Sequence, residues 1–211
     1  MDQIYSEMRE RNYKWLKENK VIYDELLLTP KLDCRNCIAL TSSDQVIFED
    51  NSIQELLKDY EDCYISPRIH HTFIVLRGWK SEKIPNEDWS DLKDFLKNLP
   101  SYRIDFTELI PVKTGLVLCG YPSFDINSIR DKIVELGYET DVLYHMDICH
   151  TTLVRWVKEI PNQEEWLNKV ANMEKKIYAR INVENLEIVR ASWTMNLGTY
   201  EILDQIKLKN E

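Results

Sequence analysis

The sequence has few glycines and no long apolar run, and each shortage excludes a class of protein. Only five glycines occur among the 211 residues. None of them forms the Gly-rich loop or Walker pattern that binds the phosphates of ATP. Apolar runs such as residues 73–76 are far shorter than the roughly 20 residues that a membrane-spanning helix needs. The sequence therefore supports neither ATP-dependent chemistry nor a membrane protein.

Positive charge is also scarce. Lys and Arg number 27 against 36 Asp and Glu, which gives a formal net charge of -9. Such a protein repels the phosphate backbone of nucleic acid at long range, so an extensive nucleic-acid surface is not expected. A small nucleotide or the end of an RNA can still bind where a local pocket supplies positive charge. The sequence indicates no particular oligomeric state.

The five cysteines form an odd set, and the N-terminal residues lack the apolar segment of a secretion signal. Reduced thiols in a cytoplasmic protein are therefore expected. Cys34 and Cys37 have the spacing of half a zinc site. Because no second Cys-x-x-Cys or paired His follows at zinc-finger spacing, we interpret this pair as structural.

The hydrophobic pattern divides the chain into two parts. Residues 1–64 are predicted to be an N-terminal helical extension packed on the core. Its elements are an amphipathic helix over 3–28, a hairpin through 38–40 and 46–48, and a short helix that begins at Ser52.

Residues 65–211 repeat one order of elements: a strand, a helix and further strands. The first strand of one repeat covers 70–76, and that of the other covers 148–157. A linking helix begins near Asp125 and is capped by Gly137. An α+β fold with two similar lobes is therefore expected, and 65–211 are predicted to form its domain.

All the histidines lie within or close to the first strand of a lobe: His70, His71, His145 and His150. Residues 70–72 and 150–152 both read His-x-Thr. Residues two apart in a strand point to the same face, so each tripeptide places an imidazole beside a hydroxyl. His71 is expected to point to the opposite face, because only His70 has a threonine two residues along.

Two imidazoles and two hydroxyls facing one cleft suit the hydrolysis of a phosphoester. A neutral imidazole can take the proton of the nucleophile, while a protonated one gives a proton to the leaving oxygen. The hydroxyls can donate hydrogen bonds to the non-bridging oxygens, where negative charge builds up. This chemistry requires no metal and no cofactor. Half-buried histidines bonded to backbone groups are the alternative interpretation.

The two motifs and their surroundings resemble those of the 2H phosphoesterase superfamily, which includes the LigT-like 2′-5′ RNA ligases and cyclic phosphodiesterases. The signature of that family is a pair of His-x-Thr/Ser motifs, each followed by an apolar residue. Here they read HHTF at 70–73, called motif one below, and HTTL at 150–153, called motif two. Segments 111–133 and 184–206 are similar to the linking region and C-terminal strands of the family.

The resemblance covers residues 65–211 and implies a two-lobed fold, with two pseudo-symmetric antiparallel sheets, outer helices and a central cleft. It implies a metal-independent phosphodiesterase acting on a nucleotide, at a 2′,3′-cyclic phosphate or a 2′-5′ linkage. The implied catalytic residues are His70, Thr72, His150 and Thr152, with His70 as acid and His150 as base. The alternatives are an enzyme that degrades cyclic dinucleotide or 2′-5′ oligoadenylate signals, and a non-catalytic nucleotide-binding module.

Three further residues are candidates for substrate binding. Tyr144 lies just before motif two, where it can line the rim of the cleft. Arg155 lies at an odd offset from His150, so alternation directs it away from the cleft unless a β-bulge intervenes, and a structural role is favoured. Trp156 has the even offset and can stack on a base, although burial in the core is an equal alternative.

Overall fold

The computed structural model describes residues 1–29, 36–42, 44–58, 63–65, 69–80, 84–138, 147–160, 162–192 and 200–209. The first half of the chain forms α1 (Asp2–Glu18), a 3-10 turn (Glu25–Leu28), β1 (Asn36–Ser42), β2 (Ile47–Phe48), α2 (Ser52–Lys58), β3 (Tyr64–Ile65), β4 (Thr72–Lys80), α3 (Ser90–Leu96), β5 (Tyr102–Val112) and β6 (Gly115–Pro122). The second half forms α4 (Ile126–Glu135), β7 (His150–Arg155), α5 (Gln163–Ala171), β8 (Ala179–Val183), β9 (Asn185–Ser192) and β10 (Glu201–Lys207). Among these residues, no helix is long and apolar enough to span a membrane.

The strands form two antiparallel sheets. One has the order β10-β9-β1-β4 and is called the motif-one sheet, because β4 begins within motif one. The other has the order β2-β8-β5-β6-β7-β3 and is called the motif-two sheet, because β7 begins at His150. The predicted α+β class, with two antiparallel sheets, is confirmed.

One face of each sheet packs on a common core with the helices α3, α4 and α5. The apolar residues of these helices share one cluster with side chains of both sheets: Leu92, Leu96, Ile126, Ile133, Trp166, Leu167, Leu40, Ile74, Leu118 and Leu153. Local signals set the ends of α4, as predicted. Asp125 accepts hydrogen bonds from the first-turn amides, and Gly137 follows the helix with a φ of 82°.

The first turns of α1 pack on the other face of the motif-two sheet. In β6, Leu116 and Leu118 belong to the common core, whereas the alternating residues Val117 and Cys119 form a separate cluster with Tyr5 of α1. The first half of the helix therefore lies on the face opposite the common core. Near its end, Leu16 belongs to that core and Tyr13 donates a hydrogen bond to α5. The helix, predicted over 3–28, ends earlier, at Glu18.

The predicted extension over residues 1–64 is not separate from the domain. The strand β1 lies between β9 and β4 in the motif-one sheet, and β2 and β3 are edge strands of the motif-two sheet. The predicted hairpin does not form, because β1 and β2 belong to different sheets. The places of these strands and the absence of the hairpin are both set by pairing between strands that are far apart in the sequence. The local hydrophobic pattern carries no information about such pairing.

The two lobes also exchange strands between the halves of the chain. The strands β5 and β6, which follow motif one in the sequence, pair with each other, and β6 pairs with β7, which carries motif two. The strand β9, which follows motif two, pairs with β1 in the sheet of β4. Each sheet therefore combines strands from both halves of the chain, so the repeat seen in the sequence does not correspond to two consecutive lobes.

Candidate functional site

Motif one contains a β-bulge directly after its threonine. Thr72 pairs with Thr41 on β1, but Ile74 pairs with the adjacent residue Leu40, so Phe73 is an extra residue in β4. The side chains of Phe73 and Ile74 are both buried, although they are consecutive in a strand. The bulge therefore reverses the alternation of the strand after motif one.

Motif two contains the same bulge at the equivalent position. Thr152 pairs with Val117 on β6, while Val154 pairs with Leu116, so Leu153 is the extra residue. Residues 70–75 and 150–155 consequently share one burial pattern, which is half-buried, buried, half-buried, buried, buried and half-buried. In both strands, the third residue after threonine returns to the face of the histidine and the threonine.

This bulge corrects two predictions made from simple alternation. Arg155 faces the same side as His150 and Thr152, so the expectation that it points away is wrong. Trp156 moves to the opposite side, where it is fully buried and makes an edge-to-face contact with Trp166 at 5.0 Å between ring centroids. A core position leaves no face of this indole on which a base could stack.

The two motifs meet at their first residues. Nδ1 of His71 lies 3.4 Å from the backbone oxygen of His150, and the same ring lies 3.8 Å from Sγ of Cys149. His71 is fully buried while His70 is half-buried, as predicted for side chains on opposite faces. Burial lowers the pKa of His71 well below its usual value, so this imidazole is neutral.

A buried arginine that the sequence analysis missed connects the two motifs. Nε of Arg130 donates to the backbone oxygen of Phe73 at 2.8 Å, and Nη2 donates to that of Ile148 at 2.9 Å. Phe73 is the bulge residue of motif one, and Ile148 lies two residues before His150. A guanidinium from α4 thus joins the strands that carry the two motifs.

The sequence contained a signal for this arginine. The buried residues of α4 are Ile126, Arg130 and Ile133, which follow the spacing of one helical face. A charged residue within an apolar stripe is seldom buried without hydrogen-bonding partners. Its position therefore predicts a buried network, although not which backbone groups it bonds.

Positive charge surrounds His150. Burial lowers the pKa of His150 to about 4, and the charges of Arg155, Arg130 and His70 act in the same direction. Nδ1 of His150 is buried, and no described residue forms a hydrogen bond with it. At neutral pH this imidazole is a neutral proton acceptor.

The other residues named in the sequence analysis differ in where they lie and in whether the structure describes them. Thr72 and Thr152 are half-buried on the faces of His70 and His150. Tyr144 lies outside the described residues, as do His145 and Cys34, while Cys37 is buried in an apolar cluster of the motif-one sheet. Within the described ranges, no group of three or more His, Cys, Asp or Glu side chains is arranged to hold a metal ion.

Comparison with solved structures identifies the fold. TT0787 of Thermus thermophilus is 15% identical, with a TM-score of 0.50 over 84% of this chain and 99% of that chain. E. coli LigT, solved in complex with 3′-AMP, is 12% identical, with a TM-score of 0.45 over 83% and 99% of the two chains. A structure titled as a phosphoesterase is 11% identical, with a TM-score of 0.42 over 83% and 99%.

No protein-family model and no curated protein matches the sequence. The likeness to TT0787 nevertheless extends over nearly all of that chain and over more of this chain than residues 65–211 would provide. The chain therefore shares the α+β fold of TT0787, with the two antiparallel sheets that the resemblance to the 2H phosphoesterase superfamily implies.

Proposed function

We propose that this protein is a metal-independent phosphodiesterase that hydrolyses a nucleotide phosphodiester with two histidines. The observation that carries the proposal is the pair of identically bulged His-x-Thr strands, which meet where His71 contacts the backbone of His150. This geometry presents His70, Thr72, His150 and Thr152 from two sheets. A structural role for the histidines alone does not account for a repeated arrangement of histidine, threonine and bulge.

The electrostatics support different roles for the two imidazoles. His150 is the neutral partner, because burial and the charges of Arg155 and Arg130 disfavour its protonated form. It takes a proton from water, whose oxygen then forms a bond to phosphorus. His70, as the imidazolium, gives its proton to the ribose oxygen as the bond from that oxygen to phosphorus breaks. The resemblance implied the same assignment.

Charge on the phosphate is neutralised by groups on the same faces. The hydroxyls of Thr72 and Thr152 donate hydrogen bonds to non-bridging oxygens, where charge increases in the transition state. Arg155, directed to the face of His150 by the bulge, supplies the positive charge that a phosphate needs in a protein with a net charge of -9. The side chain therefore acts both on the base and on the substrate.

The site favours a compact substrate. The helix α1 covers Val117 and Cys119, which adjoin Thr152 and His150 in the sheet, and so occupies part of the face beside the catalytic residues. We therefore propose a small nucleotide or an RNA end as substrate, with a 2′,3′-cyclic phosphate or a 2′-5′ linkage at the reacting bond.

The test is a panel of substrates incubated with the protein in EDTA, with products resolved by chromatography. The panel contains 2′,3′-cyclic mononucleotides, 2′-5′ and 3′-5′ dinucleotides, 2′-5′ oligoadenylate and cyclic dinucleotides. We expect turnover of a 2′,3′-cyclic phosphate or a 2′-5′ linkage, and none by a variant that carries both His70→Ala and His150→Ala. If only a cyclic dinucleotide or oligoadenylate is hydrolysed, the substrate belongs to that class instead. Calorimetric binding without turnover of any compound would show a nucleotide-binding module instead.

A further inference from the structure

The N-terminal helix shares a face of the sheet with motif two. In the ladder between β6 and β7, Cys119 pairs with His150 and Val117 pairs with Thr152, so all four side chains lie on one face. Tyr5 of α1 packs against Val117 and Cys119 on this face. The ring of Tyr5 is therefore adjacent to the strand that carries the proposed base.

The hydroxyl of Tyr5 binds the backbone next to His150. It lies 2.6 Å from the carbonyl oxygen of Gly120, to which it donates, and it accepts a hydrogen bond from the N–H of Cys149 at 3.1 Å. Gly120 and Cys149 are themselves joined by a backbone hydrogen bond of 2.9 Å. Tyr5 is 2% exposed, so no water can readily replace these bonds.

The backbone before His150 is thus held from two sides. Arg130 of α4 binds the carbonyl oxygen of Ile148, and Tyr5 of α1 binds the amide of Cys149. These contacts fix the two residues that precede the imidazole in the chain. We propose that Tyr5 is a positioning residue for His150, whose hydroxyl sets the direction of this imidazole through the backbone of Cys149. The role in catalysis rests on the proposed function.

The rest of α1 is anchored independently of this hydroxyl. Arg9 forms an ion pair with Glu108, and Asp2 accepts a hydrogen bond of 2.6 Å from the hydroxyl of Tyr121. The ring of Tyr5 makes an edge-to-face contact with Tyr121 at 5.3 Å between centroids. Tyr5→Phe therefore removes the hydroxyl while the ring and the helix keep their other contacts.

The same helix provides a matched control. The hydroxyl of Tyr13 also donates to a backbone oxygen, that of Leu167 at 3.3 Å, but Leu167 belongs to α5 and lies in neither motif. We expect Tyr5→Phe to lower kcat about tenfold with KM unchanged, because a small misplacement of a catalytic group acts on the transition state. Tyr13→Phe is expected to retain the wild-type kcat.

Combining Tyr5→Phe with the substitution of each histidine distinguishes the positioning of His150 from a general loosening of the structure. In a His150→Ala background, Tyr5→Phe should cause no further loss, because the group that it positions is absent. In a His70→Ala background, it should keep its full effect. Replacement of Tyr5 by 3-fluorotyrosine, which retains the hydroxyl, should preserve the wild-type kcat. Equal effects in both backgrounds would overturn the proposal.

A readout that does not depend on activity is the NMR titration of labelled histidine rings. We expect Tyr5→Phe to shift the resonances of His150 and raise its pKa, and Tyr13→Phe to leave both unchanged. If these shifts occur but no compound of the panel is hydrolysed, the positioning of His150 stands and the proposed function fails. If the protein is active and the two Tyr→Phe variants behave alike in both assays, the role of Tyr5 is refuted.

Discussion

In both strands, the third residue after the threonine lies on the same face as the histidine. This residue is Val75 after motif one and Arg155 after motif two. The backbones of the two strands are otherwise alike, with the extra residue at the same position and the same burial along residues 70–75 and 150–155. The difference between the motifs therefore lies in the side chains that surround them. One strand presents an apolar group at this point, and the other presents a positive charge.

This difference bears directly on proton transfer. Burial and, after it, the charge of Arg155 lower the pKa of His150, while the corresponding neighbour of His70, Val75, carries no charge. A pair of identical backbone geometries can therefore hold one imidazole that accepts a proton and one that donates it. Two groups whose environments move their pKa values apart are the arrangement that acid–base catalysis requires.

The backbone supports of the motifs also differ. Arg130 bonds the backbone of both motifs, and motif one has a further support within its own sheet. The N–H of Ser42 donates to the carbonyl oxygen of His71 at 2.9 Å, and Oγ of Ser42 accepts from the N–H of His71 at 3.3 Å. The backbone before motif two is bonded by Tyr5, which belongs to a helix. The helix α1 is therefore part of the support of motif two.

The largest expected effect comes from removing either histidine. His70→Ala and His150→Ala should each lower kcat/KM by about 10²–10⁴-fold, because each imidazole transfers a proton in the transition state. Steady-state kinetics on the substrate that the panel identifies would measure the loss, and circular dichroism would check the fold. Retention of more than about a tenth of the wild-type activity by either variant is incompatible with general acid–base catalysis of this size.

A substrate with a good leaving group turns the same variants into a test of the two roles. A nitrophenolate ester needs no proton on its leaving oxygen, so it should restore the activity of the variant that lacks the acid. We expect rescue of His70→Ala and none of His150→Ala. The opposite result would exchange the roles of the two motifs, and rescue of neither would remove the proposed division between acid and base.

The threonines test whether the two motifs contribute equally to charge stabilisation. Thr72→Val and Thr152→Val remove one hydroxyl each with little change in shape. Loss of one hydrogen-bond donor to a developing negative charge costs on the order of 10²-fold in kcat. Because the two backbones are alike, we expect similar losses from both substitutions. A large effect of one and none of the other would mean that only one motif contacts the phosphate.

A smaller effect is expected from Arg155→Val. This substitution gives His150 the same apolar neighbour that His70 has in Val75. Removing the positive charge raises the pKa of His150 from about 4 towards its ordinary value near 6.5. The neutral base is the active form, so activity falls as the pH drops through this pKa. The acidic limb of kcat/KM should therefore move upwards from about pH 4. At higher pH the remaining loss should be about tenfold and appear mainly in KM, because a charged hydrogen bond to phosphate is lost.

The reciprocal substitution Val75→Arg provides the control. It places a charge beside His70 and leaves the surroundings of His150 intact, so the acidic limb should keep its wild-type position. If Arg155→Val also leaves the acidic limb where it was, the bulge does not bring the guanidinium into electrostatic contact with the base.

Local sequence signals were sufficient for the motifs and for several elements. The His-x-Thr pattern predicted which histidines share a face with a threonine, and it predicted that His71 points to the opposite face, where it is buried. Asp125 and Gly137 predicted the ends of α4, because a cap depends on residues within one turn.

The features that were predicted wrongly or missed depend on contacts between residues that are distant in the sequence. The bulges at Phe73 and Leu153 have no distinguishing residue type, so the orientation of Arg155 could not be derived from alternation. The place of β1 between β9 and β4 is likewise set by pairing partners that are far away in the sequence. The bonds of Arg130 and Tyr5 follow from that arrangement, and they became visible only with it.

The smallest expected effect is that of a chelator. The proposed reaction moves protons between two imidazoles and neutralises the phosphate with two hydroxyls and Arg155, so no step needs a Lewis acid. We expect kcat/KM to be unchanged in excess EDTA and after dialysis, with a metal-dependent phosphatase as the positive control. A metal bound beside one motif would lower the pKa of a water there and take over the role of that imidazole. The two motifs would then differ in mechanism as well as in their neighbours. Loss of activity in EDTA that added Zn²⁺ or Mn²⁺ restores would establish that difference and overturn the paired-histidine mechanism.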